Sequence, residues 1–298
     1  MSDRQSDRRN QSAASPTGVR WATGWWKPWA YAGPALLWTV AFFLLPFLAM
    51  GWVSLTDFGT GEGPTLANYS HFLANASYRQ ALVNSLQVTL TVTAISILLA
   101  YPFAWFLAEI VPERWQRLGL MLAVLPFWTS YVVRSYSWLL VLAETGVLNN
   151  AMTGAGVLAE PVQLANTRLA IVTGFVHFFV MLLTLTIYAN LKQLSPSYRR
   201  AATDLGANSL QTFVYVILPL TLPGIMVGAF LTFVLCIGDY ITPQILGGGS
   251  ELLMPQLIML QVGRRGDFPM ASALSLVLMA VVTVAYFACA RWLKLERA

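Results

Sequence analysis

The sequence predicts an all-α integral membrane protein of six transmembrane helices, with a polar helix-turn-helix between the fourth and the fifth. The first reason is composition. Of 298 residues, 57% are hydrophobic and only 10% charged, against about 25% charged in soluble proteins. The second is the spacing of apolar runs. A helix needs about 20 mostly apolar residues to cross the hydrocarbon layer, where no water is available to satisfy backbone groups. Residues 29–55, 81–108, 118–142, 169–191, 214–238 and 268–290 have that length. The third is the polar segment 195–219, whose start, stop and cap residues describe a short helix, a tight turn and a second helix.

Taken in order, residues 1–28 form an expected N-terminal tail, 29–80 the first span and its loop, 81–293 a core of five spans, and 294–298 a second tail. Residues 1–20 are rich in Ser, Arg, Gln and Asp with almost no large apolar side chains, so disorder is expected there. Trp21, Trp25, Trp26 and Trp29 follow, and indoles suit the headgroup layer, with the N–H in the wet region and the ring in the dry one. The first span carries no charge and is too long and too late for a removable signal peptide. In the third, Pro126 opens a kink. Arg134 lies in the same run and must face the bundle interior, because a cation at membrane depth needs a partner or water. Asp239, at the end of the fifth span, is its candidate partner.

Lysine and arginine are retained on the cytoplasmic side. With the N-terminus inside, that side holds Arg4, Arg8, Arg9, Arg20, Lys27, Arg114, Arg117, Lys192, Arg199, Arg200, Arg291, Lys294 and Arg297. The other side holds Arg79, Arg168, Arg264 and Arg265. Both termini and segment 195–219 are therefore expected in the cytoplasm. The net charge of +5 is explained by topology, and no nucleic-acid partner is needed.

Within the polar segment, Ser195 and Pro196 make a helix start, Gly206 a stop that accepts the left-handed conformation, and Asn208 with Ser209 a cap for a helix running toward Pro219. The spacing of Ala201, Ala202, Gly206, Val216, Leu218 and Pro219 resembles the cytoplasmic signature of permease subunits of bacterial ABC importers. Arg200 stands where that family has glutamate. The resemblance implies a type I ABC importer permease fold in the bacterial inner membrane. It also implies a coupling helix, carried by Arg200, Ala201, Ala202, Asp204, Leu205, Gly206, Leu218 and Pro219, inserted in a groove on a cytoplasmic ATPase. Implied partners are an ATPase dimer that binds ATP and Mg, a homologous second permease, a periplasmic substrate-binding protein and the lipid bilayer. The plain alternative is an ordinary loop between two spans.

Two further segments, Leu125-Pro-Phe-Trp-Thr-Ser-Tyr-Val-Val-Arg-Ser-Tyr-Ser-Trp138 and Gly238-Asp-Tyr-Ile-Thr-Pro-Gln-Ile-Leu-Gly-Gly248, resemble the importer branch serving spermidine and putrescine, together with related opine-type importers. Residues 263–276, with Arg264, Arg265 and Asp267 before Phe268-Pro269, continue the pattern. The implied cargo is a polyamine, with an opine, an amino-acid derivative or an aminophosphonate as alternatives. A chain of ammonium groups is attracted by carboxylates and held by aromatic faces. Trp128, Tyr131, Tyr136, Trp138, Asp239 and Tyr240 supply such groups, with Glu144 nearby and Arg134 as a gate or a structural cation. Aromatic belts at the membrane boundary are the competing explanation.

No catalytic or metal-binding pattern is found. His71 and His177 lack neighbouring ligand-type residues, and Cys236 and Cys289 lie in apolar runs as small hydrophobes. A transport subunit without its own cofactor is expected, with ATP hydrolysis in a partner. A proton-coupled secondary transporter is the rival from another class, disfavoured by the few titratable groups in the spans and the lack of an evident inverted repeat.

Overall fold

The computed structural model describes residues 26–58, 63–249 and 251–293. The expected disordered tail, the side chains of the tryptophan cluster and residues 294–298 lie outside the described parts. The described residues are helical with connecting turns, and the chain divides into two units, Met1–Met50 and Gly51–Ala298. The helix α1 covers residues 26–53, through a π-helical turn at Val40–Leu44. In its Ala32–Val53 stretch no side chain of the most apolar window is buried, and Leu37, Trp38, Phe42 and Phe43 are exposed. An apolar helix without a polar face belongs in lipid.

In the second unit, α2 is Ala67–Ala74 and α3 is Ala76–Ile110, which ends in a π-helical turn at Phe106–Ile110. Asn75 caps α3, its side chain accepting from the Ser77 N–H at 2.9 Å. Then come α4, Glu113–Trp128, α5, Tyr131–Leu142, and α6, Val147–Gly154. Thr167 caps α7, Arg168–Gln193. The helix α8, Ser197–Asp204, and the long α9, Ser209–Ile237, follow. Three remain: α10, Ile241–Leu246, α11, Met254–Leu260, and α12, Phe268–Leu293.

Among the described residues five helices are long and apolar enough to cross a membrane, or six if the bent pair Glu113–Trp128 and Tyr131–Gly154 counts as one span. The kink expected in the third span at Pro126 is a sharper break, two helices bent by 90°. Pro126 lies in a 3-10 turn at Leu125–Trp128, and Thr129 and Ser130 take extended ψ values of 144° and 134°. Here proline marks a corner instead of a bend. A second difference is at α9: the second limb of the polar hairpin and the fifth span are one helix of 29 residues.

The packing centre joins α3, α7 and α9. Ala100, Ala104, Leu183, Ile187, Leu191, Ile217 and Ile225 form one buried cluster across them. Lipid is as apolar as leucine, so helices in a membrane associate through close packing at small residues. Gly224 is such a point, where an added Cβ would fall on the Asn190 amide. Tyr101 and Thr221 bond across the same interface at 3.3 Å. Toward the other end of α3, Phe72, Tyr78, Met254, Leu257, Met270 and Leu274 form a separate cluster of α2, α3, α11 and α12.

Candidate functional site

The hairpin at one end of α9 is built by local chemistry. At its start Ser195 Oγ accepts from the Ser197 N–H at 3.3 Å. Beyond α8, Gly206 has φ +83°. Ala207 N–H donates to the Ala202 carbonyl at 3.0 Å and Gly206 N–H to that of Thr203 at 2.9 Å, the paired bonds that end a helix on a left-handed residue. Asn208 then forms a capping box: its side chain accepts from Gln211 N–H at 2.8 Å, and Gln211 accepts from Asn208 N–H at 2.9 Å. Orphan backbone groups on both sides of the turn are satisfied within a few residues.

The predicted coupling residues divide by exposure. Arg200, Ala201, Asp204 and Gly206 are exposed, and Leu205 is 89% exposed. Leu210, beyond the turn, is 71% exposed. Ala202 is buried and packs against its own chain, whereas Ala201 is exposed. Leu218 packs against the α3–α7–α9 cluster and Pro219 is exposed; both belong to the root of the hairpin. Sequence reasoning passed over Arg199. Its guanidinium makes a two-pronged ion pair with Glu109 and lies over the Trp105 ring, 5.3 Å from the centroid. Burial lowers the Arg199 pKa from its ordinary value, but arginine starts so high that the charge persists at neutral pH.

At the other end of α9, Asp239 caps α10. Its Oδ1 accepts from Ile241 N–H at 3.0 Å and its Oδ2 from Thr242 N–H at 3.2 Å. Tyr131 OH also donates to Oδ2 at 2.6 Å and accepts from Thr242 Oγ1 at 2.6 Å, which ties α5 to α10. A carboxylate has about four lone-pair positions, so one remains open on Oδ1. Beside it lies a cleft of about 350 Å³ lined by Tyr131, Phe178, Phe179, Val234, Leu235, Gly238 and Asp239. One carboxylate among aromatic rings has the chemistry to hold an organic cation. Phe178 and Phe179 were not singled out from the sequence, since phenylalanines in an apolar span read as core.

The expected Arg134–Asp239 pair is not formed. Arg134 is buried, and its Nη2 donates to the carbonyls of Pro126 at 2.9 Å and Thr129 at 3.0 Å. The Pro126 carbonyl also accepts from the Thr129 N–H at 3.3 Å and the Thr129 hydroxyl at 2.7 Å, and the guanidinium joins this turn while packing over Phe178 at 5.2 Å. Arg134 is therefore the staple of the α4–α5 corner. Trp138 donates from Nε1 to His177 Nδ1 at 2.9 Å, so His177 is a hydrogen-bonded histidine, as expected for one on an apolar helix. Trp128 is 86% exposed, Tyr136 is exposed and Tyr240 half-buried. Of the six predicted aromatic and acidic residues, only Tyr131 and Asp239 line the cleft.

One end of α9 thus carries a polar hairpin with two exposed leucines, and the other an aromatic-lined cleft with one carboxylate, and similarity to known proteins places this arrangement among solute-transport subunits of the membrane. Residues 89–294 match the family described as binding-protein-dependent transport system inner membrane component, and the chain belongs to that family. It is 35% identical to the spermidine/putrescine transport system permease protein PotB of Haemophilus influenzae, over 84% of this chain and 89% of that one. For the protein of the same name in Escherichia coli K12 the identity is 33%, covering 86% and 95%. The inner membrane ABC transporter permease protein YdcU of Escherichia coli K12 is 34% identical over 82% of each chain. In fold, the chain matches a subunit of a bacterial alginate ABC transporter, solved in complex with an alginate pentasaccharide-bound periplasmic protein. The TM-score is 0.72 at 16% identity, with 90% of this chain and 96% of that one covered. This is a multi-pass inner-membrane permease subunit with the type I importer fold.

Proposed function

We propose that this chain carries a polyamine such as putrescine or spermidine inward, as one of two permeases in an ATP-driven importer. The observation that carries the substrate is the similarity to the spermidine/putrescine permeases along more than four-fifths of both chains. The chemistry of the Asp239 cleft agrees with it. A primary ammonium places its positive charge against the open position on Oδ1 and its methylenes against Phe178 and Tyr131. Arg134 donates to the corner carbonyls through Nη2 alone, its Nε and Nη1 having no hydrogen-bond partner among the described residues, and its charge repels an ammonium that strays beyond the Phe178 ring. It thereby helps to define the path.

In this reading both termini and the hairpin face the cytoplasm, following the lysine and arginine distribution. The exposed Leu205 and Leu210, with Arg200, Ala201 and Asp204, enter a groove on an ATPase that binds ATP and Mg. A periplasmic binding protein delivers solute at the Asp239 end. ATP and the loaded binding protein each favour one conformation by binding it more tightly.

The test is uptake of labelled putrescine and spermidine by cells carrying the complete transporter, with and without this chain, challenged by unlabelled opines and amino acids. Chain-dependent uptake competed only by polyamines is the expected outcome. Its absence, in cells where the assembled complex is detected, would transfer the cargo to an opine, an amino-acid derivative or an aminophosphonate.

A further inference from the structure

We propose that Arg199, Glu109 and Trp105 form a strap that carries movement of the hairpin into α3, and that Arg199 and Glu109 are positioning residues for coupled transport. The inference rests on the importer reading and adds a route for the stroke. The second limb of the hairpin is the first turn of α9, so motion there enters the bundle along a continuous helix. The first limb has no such continuity. It joins α7 through Leu194, whose extended ψ of 128° breaks the helix, and joins α9 through the Gly206 turn. An eight-residue helix between two bends swings unless its side chains hold it.

Arg199 supplies that hold. The planar fork of arginine meets a carboxylate with two parallel bonds and fixes orientation as well as distance, which a lysine cannot do. Glu109 is presented by the π-helical turn at the end of α3, and the side chains of the pair are 33% and 19% exposed. The attraction is therefore less screened than in an open surface pair. Trp105 lies one turn earlier on α3 and takes the guanidinium on its face. Phe213, on the second limb, meets the same indole edge-on at 5.0 Å and Tyr101 at 5.6 Å. Both limbs thus converge on one ring. Tyr101 is also bonded to Thr221, so a load at the strap is felt where α3 packs against α9.

The test uses the complete importer in proteoliposomes, with Arg199→Gln, Glu109→Gln and the double exchange Arg199→Glu with Glu109→Arg. ATP hydrolysis without solute, hydrolysis stimulated by the loaded binding protein, solute uptake and the amount of co-purifying ATPase are measured together. Each single variant is expected to lose about tenfold in stimulated hydrolysis and uptake, a typical size for coupling between sites. Solute-free hydrolysis and co-purifying ATPase should remain, and the exchange should restore most of the loss. Trp105→Phe, which keeps a ring, should retain more coupling than Trp105→Leu. Wild-type stimulation in both single variants would overturn the strap. So would loss of co-purifying ATPase that the exchange fails to restore, since the residues would then only serve the hairpin's own fold. If the wild-type complex shows no solute-stimulated hydrolysis or uptake dependent on this chain, it is the importer reading that fails.

Discussion

At one end of α9 the chain leaves Leu205 and Leu210 in the open beside a turn closed by the left-handed Gly206 and the Asn208 capping box. At the other it buries Arg134 against the backbone carbonyls of the α4–α5 corner and makes Asp239 both a helix cap and the acceptor for a tyrosine. The first region is rigid in its backbone and incomplete in its side-chain packing, which suits a surface completed by another protein. The second ties Asp239 to Tyr131 and to the first turn of α10, keeps one carboxylate position free and leaves Arg134 Nε and Nη1 without hydrogen-bond partners among the described residues, which suits a small cation that must bind and leave. Protein docking tolerates a permanent apolar contact, whereas a translocation path cannot hold its cargo tightly.

The largest effect is expected at the turn. Gly206 has open space where a side chain would go, so its φ of +83°, not crowding, decides what can replace it. A left-handed L-residue costs about 1–2 kcal/mol, and a β-branched one is disfavoured further. Gly206→Val should reduce uptake and solute-stimulated ATP hydrolysis by about tenfold or more while the subunit still inserts. Gly206→Asn, which tolerates that region, should keep most of both. Normal coupling in Gly206→Val would mean that the turn is shaped by its partner, and the contrast between a preformed hairpin and a binding cleft would collapse.

A smaller effect separates charge from architecture at the other end. Asparagine also caps helices well, so Asp239→Asn should leave α10 and the amount of assembled complex unchanged while removing the negative charge. Polyamine uptake is expected to fall about fivefold, the size of one modest polar contact. Tyr131→Phe keeps the ring beside the cleft and deletes the bonds to Asp239 and Thr242, with an expected loss of about twofold. Unchanged uptake in Asp239→Asn would remove the carboxylate from the path and leave it a cap alone. A larger loss in Tyr131→Phe than in Asp239→Asn would make the α5–α10 tie, and not the charge, the important element.

The same contrast explains what could be read from sequence. The hairpin was legible because Ser195, Gly206 and Asn208 act on backbone groups within a few residues of themselves, and such rules need no tertiary context. The spans were legible as apolar runs, although the 90° corner at Thr129–Ser130 exceeded the kink expected from Pro126. Contacts between distant segments were not legible: Arg199 meets Glu109 across 90 positions and Tyr131 meets Asp239 across 108. The Arg134–Asp239 pairing failed for a definite reason. Matching charges by sign leaves out the backbone carbonyls of the corner, and those of Pro126 and Thr129 are the acceptors Arg134 meets. Phe178 and Phe179 stayed hidden because their apolar surroundings make a cleft wall and a packed core look alike.

The smallest effect is expected at Arg200, where the importer signature has a glutamate. Its neighbour Arg199 is held by Glu109, but Arg200 is exposed, and the ion pairs among the described residues are those of Arg168 with Glu251 and Arg199 with Glu109. An exposed charge at the rim of an interface acts mainly on association rate and salt dependence. Arg200→Glu should therefore leave the fold within about 0.5 kcal/mol. It should weaken capture of the ATPase about 1.5-fold at low salt, if an acidic side chain of the ATPase faces it. In 1 M salt, where screening acts within about 3 Å, the difference should vanish. A difference that persisted at high salt would show that the arginine packs against the ATPase through its aliphatic stem, and the hairpin's docking surface would then extend from Leu205 and Leu210 back along the exposed side of α8. No difference at low salt would leave the apolar tip as the determinant of docking, which would sharpen the contrast with a charge-dependent cleft at the far end of α9.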